Sequence, residues 1–220
     1  AFLNFWYLPA LRETARLLHA AGRRAAARHW RNRAAAHARL VVERLFDPDA
    51  RLFRDGLDAD LKPVARCSVH EQVLAIILGL VPEAEETLFG ARLLPYLRGE
   101  PTEGARPSAS WSAHVLELAI ERGHAADAVA FIRRHWEPML STGTTWEDFT
   151  WSETDGNTCC HAWTGHPSWL LVGALAGIRQ TAPAWRRILL APAFVAGIDH
   201  ASAVVPAPPG PIRASWRRLA

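Results

Sequence analysis

One carboxylate stands out by its company. Glu147 follows a Gly-Thr-Thr-Trp turn and lies between Trp146 and Phe149, inside a long irregular segment running from Ser141 to Cys160. A loop carboxylate can take or give a proton; apolar neighbours raise its pKa, and a facing cation lowers it. Rings beside an acid suit a ligand with one apolar and one hydroxylated side, such as a sugar. Residue chemistry alone favours a plainer reading, in which Glu147 is an exposed loop carboxylate capping a helix. Just downstream, Cys159, Cys160, His161 and His166 raise the question of zinc. Adjacent cysteines do not match the spaced pairs of zinc sites, and no second pair exists, so neither a metal nor a cofactor is expected.

The elements that must carry this segment are helical. Phe2 to Ala21 has apolar residues at Leu3, Tyr7, Leu11, Ala15 and Leu18, a helical spacing stopped by Gly22. A second helix from about Arg24 to Phe46 turns Leu40, Val41 and Leu45 inward and ends at Asp47-Pro48-Asp49. After a polar connection with a short extended piece at Leu52-Phe53, helices are expected from an N-cap at Ser68 to Leu78 and from Pro82 to Leu97. Two more run from Ser110 to Arg122 and from Ala125 to Trp136. One further helix spans Pro167 to Ala176. Beyond Ala182, short apolar runs at 188–190, 204–205 and 212–214, punctuated by proline, read as strands. Helical hairpins without a repeat signature argue against a solenoid, and the long Trp-rich loop favours an α/α toroid over a bundle.

Composition narrows the function. The 220 residues are 50% hydrophobic and 21% charged, with a net charge of +3, ten Trp and three Cys. That length supports one substantial domain or slightly more. So small a basic excess, spread over several helices, argues against a nucleic-acid partner. No apolar run approaches the ~20 residues of a membrane span, so no membrane partner is expected. An odd cysteine count argues against a disulfide framework.

Three blocks then resemble a known family. They are FIRRHWEPMLSTGTTWEDF (131–149), CCHAWTGHPSWLLVGALAGI (159–178) and ILLAPAFVAGIDHASAVVPAPPGPIRASW (188–216), with SVHEQVLAIILGLVP (68–82) matching in layout. The chain resembles the C-terminal half of a bacterial α-L-rhamnosidase of glycoside hydrolase family 78. The resemblance implies an all-α fold: a partial (α/α)6 toroid of helical hairpins over 1–183, then the beginning of a C-terminal β-sandwich over 184–220. It implies an inverting hydrolase of rhamnose-containing glycosides, with Glu147 as general base and His161 contacting rhamnose. Trp146, Trp163 and Trp111 would offer ring faces to the deoxysugar. The family's general acid lies on an earlier barrel segment outside this chain. The resemblance therefore implies a fragment, partnered by the missing N-terminal part of its own barrel and inactive alone. Two other readings stay in view: a non-catalytic helical protein-interaction module, and a six-hairpin hydrolase for a different sugar.

Overall fold

The computed structural model describes residues 2–219. The chain divides between Pro107 and Ser108 into two compact units.

In the first unit, α1 (Phe2–Ala20) and α2 (Arg24–Leu45) form a hairpin. Gly22 turns the chain at a φ of 75°, and the Arg23 N–H closes the helix on the Leu18 carbonyl at 2.9 Å. The buried stripe of α1 is Phe5, Leu8, Leu11 and Ala15. Leu11 and Ala15 are as expected, whereas Leu3 and Tyr7 are exposed. Helical spacing admits either stripe, and the choice is made at long range: the Phe5 ring meets Phe53 edge-on at 5.5 Å. On α2, Val41 and Leu45 point inward as expected and Leu40 does not.

Two short strands follow, β1 (Phe46–Asp47) and β2 (Leu52–Phe53), paired antiparallel. Against them lies α3 (Val69–Ile77). Its Gln72, fully buried, accepts the Phe53 N–H at 2.8 Å and donates to the Phe53 carbonyl at 2.8 Å. Gln72→Leu would strand both backbone groups, and a buried unpaired polar group costs about 1–3 kcal/mol. We expect about 2 kcal/mol lost in a urea unfolding curve. Ser68 occupies the N-cap position of α3, yet its hydroxyl makes no capping bond. It donates to Asp55 Oδ2 at 2.6 Å and accepts the Ala105 N–H at 2.8 Å.

The single helix expected from Pro82 to Leu97 is instead composite. A 3-10 turn (Pro82–Ala84) leads into α4 (Glu85–Leu88), a π turn (Phe89–Leu93) and α5 (Leu94–Arg98). Pro95 has no N–H to give the Ala91 carbonyl, so the ladder widens before it. The guanidinium of Arg92 reaches that carbonyl at 3.2 Å.

In the second unit, α6 (Ser112–Glu121) and α7 (Ala125–Trp136) form a hairpin at Gly123. The long loop follows, then α8 (Pro167–Leu171), prolonged by a π turn to Ala176. Gly177 leaves the helix at a φ of 75°, and a Cβ there would run into the backbone of Ala191 and Pro192. Beyond it, β3 (Ile178–Gln180) pairs with β4 (Ile188–Leu190), and β5 (His200–Val205) with β6 (Ile212–Arg217), both antiparallel. The expected domain boundary at 183/184 falls in the β3–β4 connection. Strand β3 is absent from the sequence reading because three residues after a helix stop carry no alternation to detect. Val195 packs with Ala125 and Val129 of α7, and the Trp216 indole donates to the Leu175 carbonyl at 2.6 Å.

Candidate active site

The loop after α7 is built by threonines. The His161 N–H donates to the Thr145 carbonyl at 2.8 Å, and the Glu147 N–H to the Thr158 carbonyl at 3.0 Å. Two strands of irregular loop are thereby laid side by side. The Thr145 hydroxyl donates to the His161 carbonyl at 2.7 Å, and the Thr144 hydroxyl to the Cys159 carbonyl. Thr164, fully buried, has its hydroxyl between the Trp146 carbonyl at 2.6 Å and the His161 carbonyl at 2.7 Å. Hydroxyls of this kind satisfy backbone groups that no regular ladder serves.

The loop is held to the helices by rings. Phe149 sits edge-on to Phe131 at 5.6 Å and tilted on His135 at 4.3 Å, both on α7. Trp136, the last residue of α7, donates its indole N–H to the Thr164 carbonyl at 2.8 Å and meets the His166 ring at 5.1 Å. His166 spans Ser112 Oγ on α6 at 3.4 Å and the Trp163 carbonyl at 3.3 Å. Burial pushes its pKa down, which keeps the imidazole neutral as a connector. Trp136→Phe keeps a ring and deletes one buried hydrogen bond. We expect a loss of about 1 kcal/mol in thermal unfolding.

Around this frame the expected site residues take different places. Glu147 is half-buried, and both Thr158 donors reach its Oε2: the N–H at 3.0 Å and the hydroxyl at 3.1 Å. Those two bonds, helped by the charge of nearby His161, hold its carboxyl below the usual glutamate value. Facing hydrogen-bond donors thus outweigh the apolar neighbours, and Glu147 is ionised at neutral pH. His161 is near enough to act on it by charge, and the Trp163 ring lies edge-on to His161 at 5.6 Å. Trp163 is 76% exposed, an open aromatic face.

Trp146 lies inside the loop instead. It is only 7% exposed, its indole donating to Thr142 Oγ1 at 2.8 Å and its ring leaning on Trp151. It supports the turn from beneath. Trp111 stands apart at the start of α6, edge-on to His114 at 5.2 Å, and connects to the loop through the neighbouring Ser112 and His166. The structure thus groups Glu147, His161 and Trp163, and adds Thr144, Thr145, Thr158 and Thr164. The density of Thr around Trp146 was visible in sequence, but which carbonyl each would meet was not. Among the described residues, no group of three or more His, Cys, Asp or Glu could hold a metal ion, and no helix is long and apolar enough to cross a membrane.

The fold of the chain matches that of known proteins over nearly its whole length. The family model of the bacterial alpha-L-rhamnosidase C-terminal domain covers residues 177–219. The crystal structure of a family 78 rhamnosidase of Bacillus sp. GL1 superposes with a TM-score of 0.83 at 27% identity, over 100% of this chain and 24% of that one. The match is to the family 78 α-L-rhamnosidases. The native α-L-rhamnosidase of Aspergillus terreus shares the fold at 14% identity, with a TM-score of 0.76 over 97% of this chain and 25% of that one. So does the Streptomyces avermitilis α-L-rhamnosidase complexed with L-rhamnose, at 17% identity and a TM-score of 0.71, over 98% of this chain and 21% of that one. No curated protein sequence matches the chain significantly. The rhamnosidase-like chain spans about a quarter of the length of these relatives. Its element order, helical hairpins and then short antiparallel strand pairs, is that expected of a partial (α/α)6 toroid entering a β domain.

Proposed function

We propose that this chain is part of an inverting glycoside hydrolase that releases terminal α-L-rhamnose from rhamnosides, and that Glu147 is its general base. The observation that carries the reading is a carboxylate kept ionised by Thr158 beside His161 and an open Trp163 ring. In an inverting reaction, water attacks the anomeric carbon from the face opposite the departing oxygen. The base takes a proton from that water as the new C–O bond forms, and a general acid protonates the leaving oxygen as the old bond breaks. The two carboxyl groups stand ~6.5–9.5 Å apart to leave room for the water. Glu147 is suited to the first role because it is charged and on a loop. The acid comes from a part of the enzyme outside this chain. His161 bonds rhamnose hydroxyls, and Trp163 covers the sugar's apolar side, including its methyl group.

The test uses a whole-length chain carrying this segment. An aryl α-L-rhamnoside should be cleaved in preference to the aryl glucoside and fucoside, and NMR during the first turnovers should show β-rhamnose first. Preference for another sugar would refute the substrate, and α-rhamnose appearing first would refute the inverting base.

A further inference from the structure

The two oxygens of Glu147 are not equivalent. Oε2 accepts both donors of a single residue, Thr158, at 3.0 and 3.1 Å. Oε1 accepts no hydrogen bond among the described residues. The same two residues are also tied through their backbones, the Glu147 N–H donating to the Thr158 carbonyl at 3.0 Å. Three bonds between one pair of residues therefore fix the carboxyl plane relative to the loop. Of the other carboxylates in the loop, that of Asp155 receives the Ser152 and Asn157 N–H groups, and that of Asp148 receives the Phe149 N–H. Among the described residues, His161 is the group that acts on Glu147 by charge.

We propose that Thr158 is the positioning residue of this site: by occupying Oε2 with both its donors, it leaves Oε1 as the atom that accepts the proton of the attacking water. This rests on the reading of Glu147 as a general base and adds which oxygen works and what aims it. A carboxylate free to rotate would present either oxygen in many orientations, and general-base catalysis requires one lone pair aligned with the water's O–H. The two donors also set the strength of the base. Stabilising the anion lowers its affinity for a proton, so Glu147 stays charged in mildly acidic solution, where an ordinary glutamate begins to protonate.

Thr158→Val keeps the shape and the backbone N–H but removes the hydroxyl, and Thr158→Ser restores a hydroxyl without the methyl. Two measurements separate the claims. The first is a carbon-13 NMR titration of the Glu147 carboxyl in the 220-residue chain, with circular dichroism as a check on folding. Thr158→Val should move the carboxyl pKa up toward the ordinary glutamate value, and Thr158→Ser should return it. The second is the pH profile of kcat on an aryl α-L-rhamnoside in the whole-length enzyme. Thr158→Val should lower kcat roughly 10- to 100-fold, as loss of a hydrogen bond to a charged group implies, with KM little changed. The acid limb of the profile should rise in step with the NMR value, and Thr158→Ser should recover most of the rate. A carboxyl pKa unmoved by Thr158→Val overturns the clamp. A pKa that moves while the acid limb stays put overturns Glu147 as the base, and the clamp's catalytic meaning with it.

Discussion

Glu147→Gln, made in a whole-length chain carrying this segment, is expected to lower kcat on an aryl α-L-rhamnoside by about 10²–10⁴-fold, with KM nearly unchanged. The amide has the size of the carboxyl, and its oxygen can still accept from Thr158. What it lacks is a charged oxygen able to take a proton from water. Binding of the sugar, assigned to His161 and Trp163, is left in place, so the loss falls on kcat. A chemical rescue sharpens the case. In Glu147→Ala, added azide should restore turnover, because an anionic nucleophile has no proton to lose, and the product should be the β-rhamnosyl azide. A loss below tenfold in a well-folded Glu147→Gln variant would remove Glu147 from the mechanism.

The other large effect concerns stability in the first unit. Glu71 on α3 is only 4% exposed, and its Oε2 reaches no partner among the described residues. Burial, and then the negative charge of Asp55, raise its pKa from an ordinary 4.5 to about 7. Asp55 is itself half-buried, but the Ser68 hydroxyl, the Ser68 N–H and the Arg66 guanidinium keep it ionised. At pH 5 the folded chain therefore holds a proton on Glu71 that the unfolded chain has begun to release. Stability tied to that proton is complete below about pH 4.5 and declines as pH climbs to 7. Above that it stays level. The shift corresponds to roughly 3 kcal/mol.

Glu71→Gln stays neutral throughout. It should match the natural chain near pH 4 and exceed it by roughly 3 kcal/mol at pH 8 in urea unfolding. His70, next in sequence, is pushed down by burial and tilts the other way, adding stability as pH rises through its unfolded value. The comparison of the two chains at each pH cancels that contribution. Equal slopes for both chains would show that Glu71 is charged in the folded state.

Much of this molecule can be read from residue order, and the parts that cannot share a cause. Gly22, Gly123 and Gly177 mark helix ends because a left-handed turn is nearly free for glycine, a property of the residue itself. The loop around Glu147 is legible for a similar reason, since Gly-Thr-Thr-Trp cannot extend the helix before it. The stripe of α1 is legible only in part: Leu11 and Ala15 face inward, but local spacing fits both Leu3 and Phe5 as an inward position, and the contact with Phe53 decides between them. Trp146 was expected as an open ring face, and its burial comes from Thr142 and Trp151, which the loop folds around it. The kink before Pro95 was legible in principle, though the arginine that mends it was not.

By itself, the order of residues determined where helices begin and stop, that strands follow them, and that one loop carboxylate lies among rings. Those outcomes depend on backbone preferences and apolar periodicity within a few positions. Tertiary structure alone decided that Thr158 faces Glu147 across 11 positions, that Glu71 is sealed beside Asp55, and that Trp163 is open while Trp146 is closed. A hydrogen bond or a desolvated charge depends on distances of a few ångströms between distant segments, and those distances exist only once the chain has closed on itself.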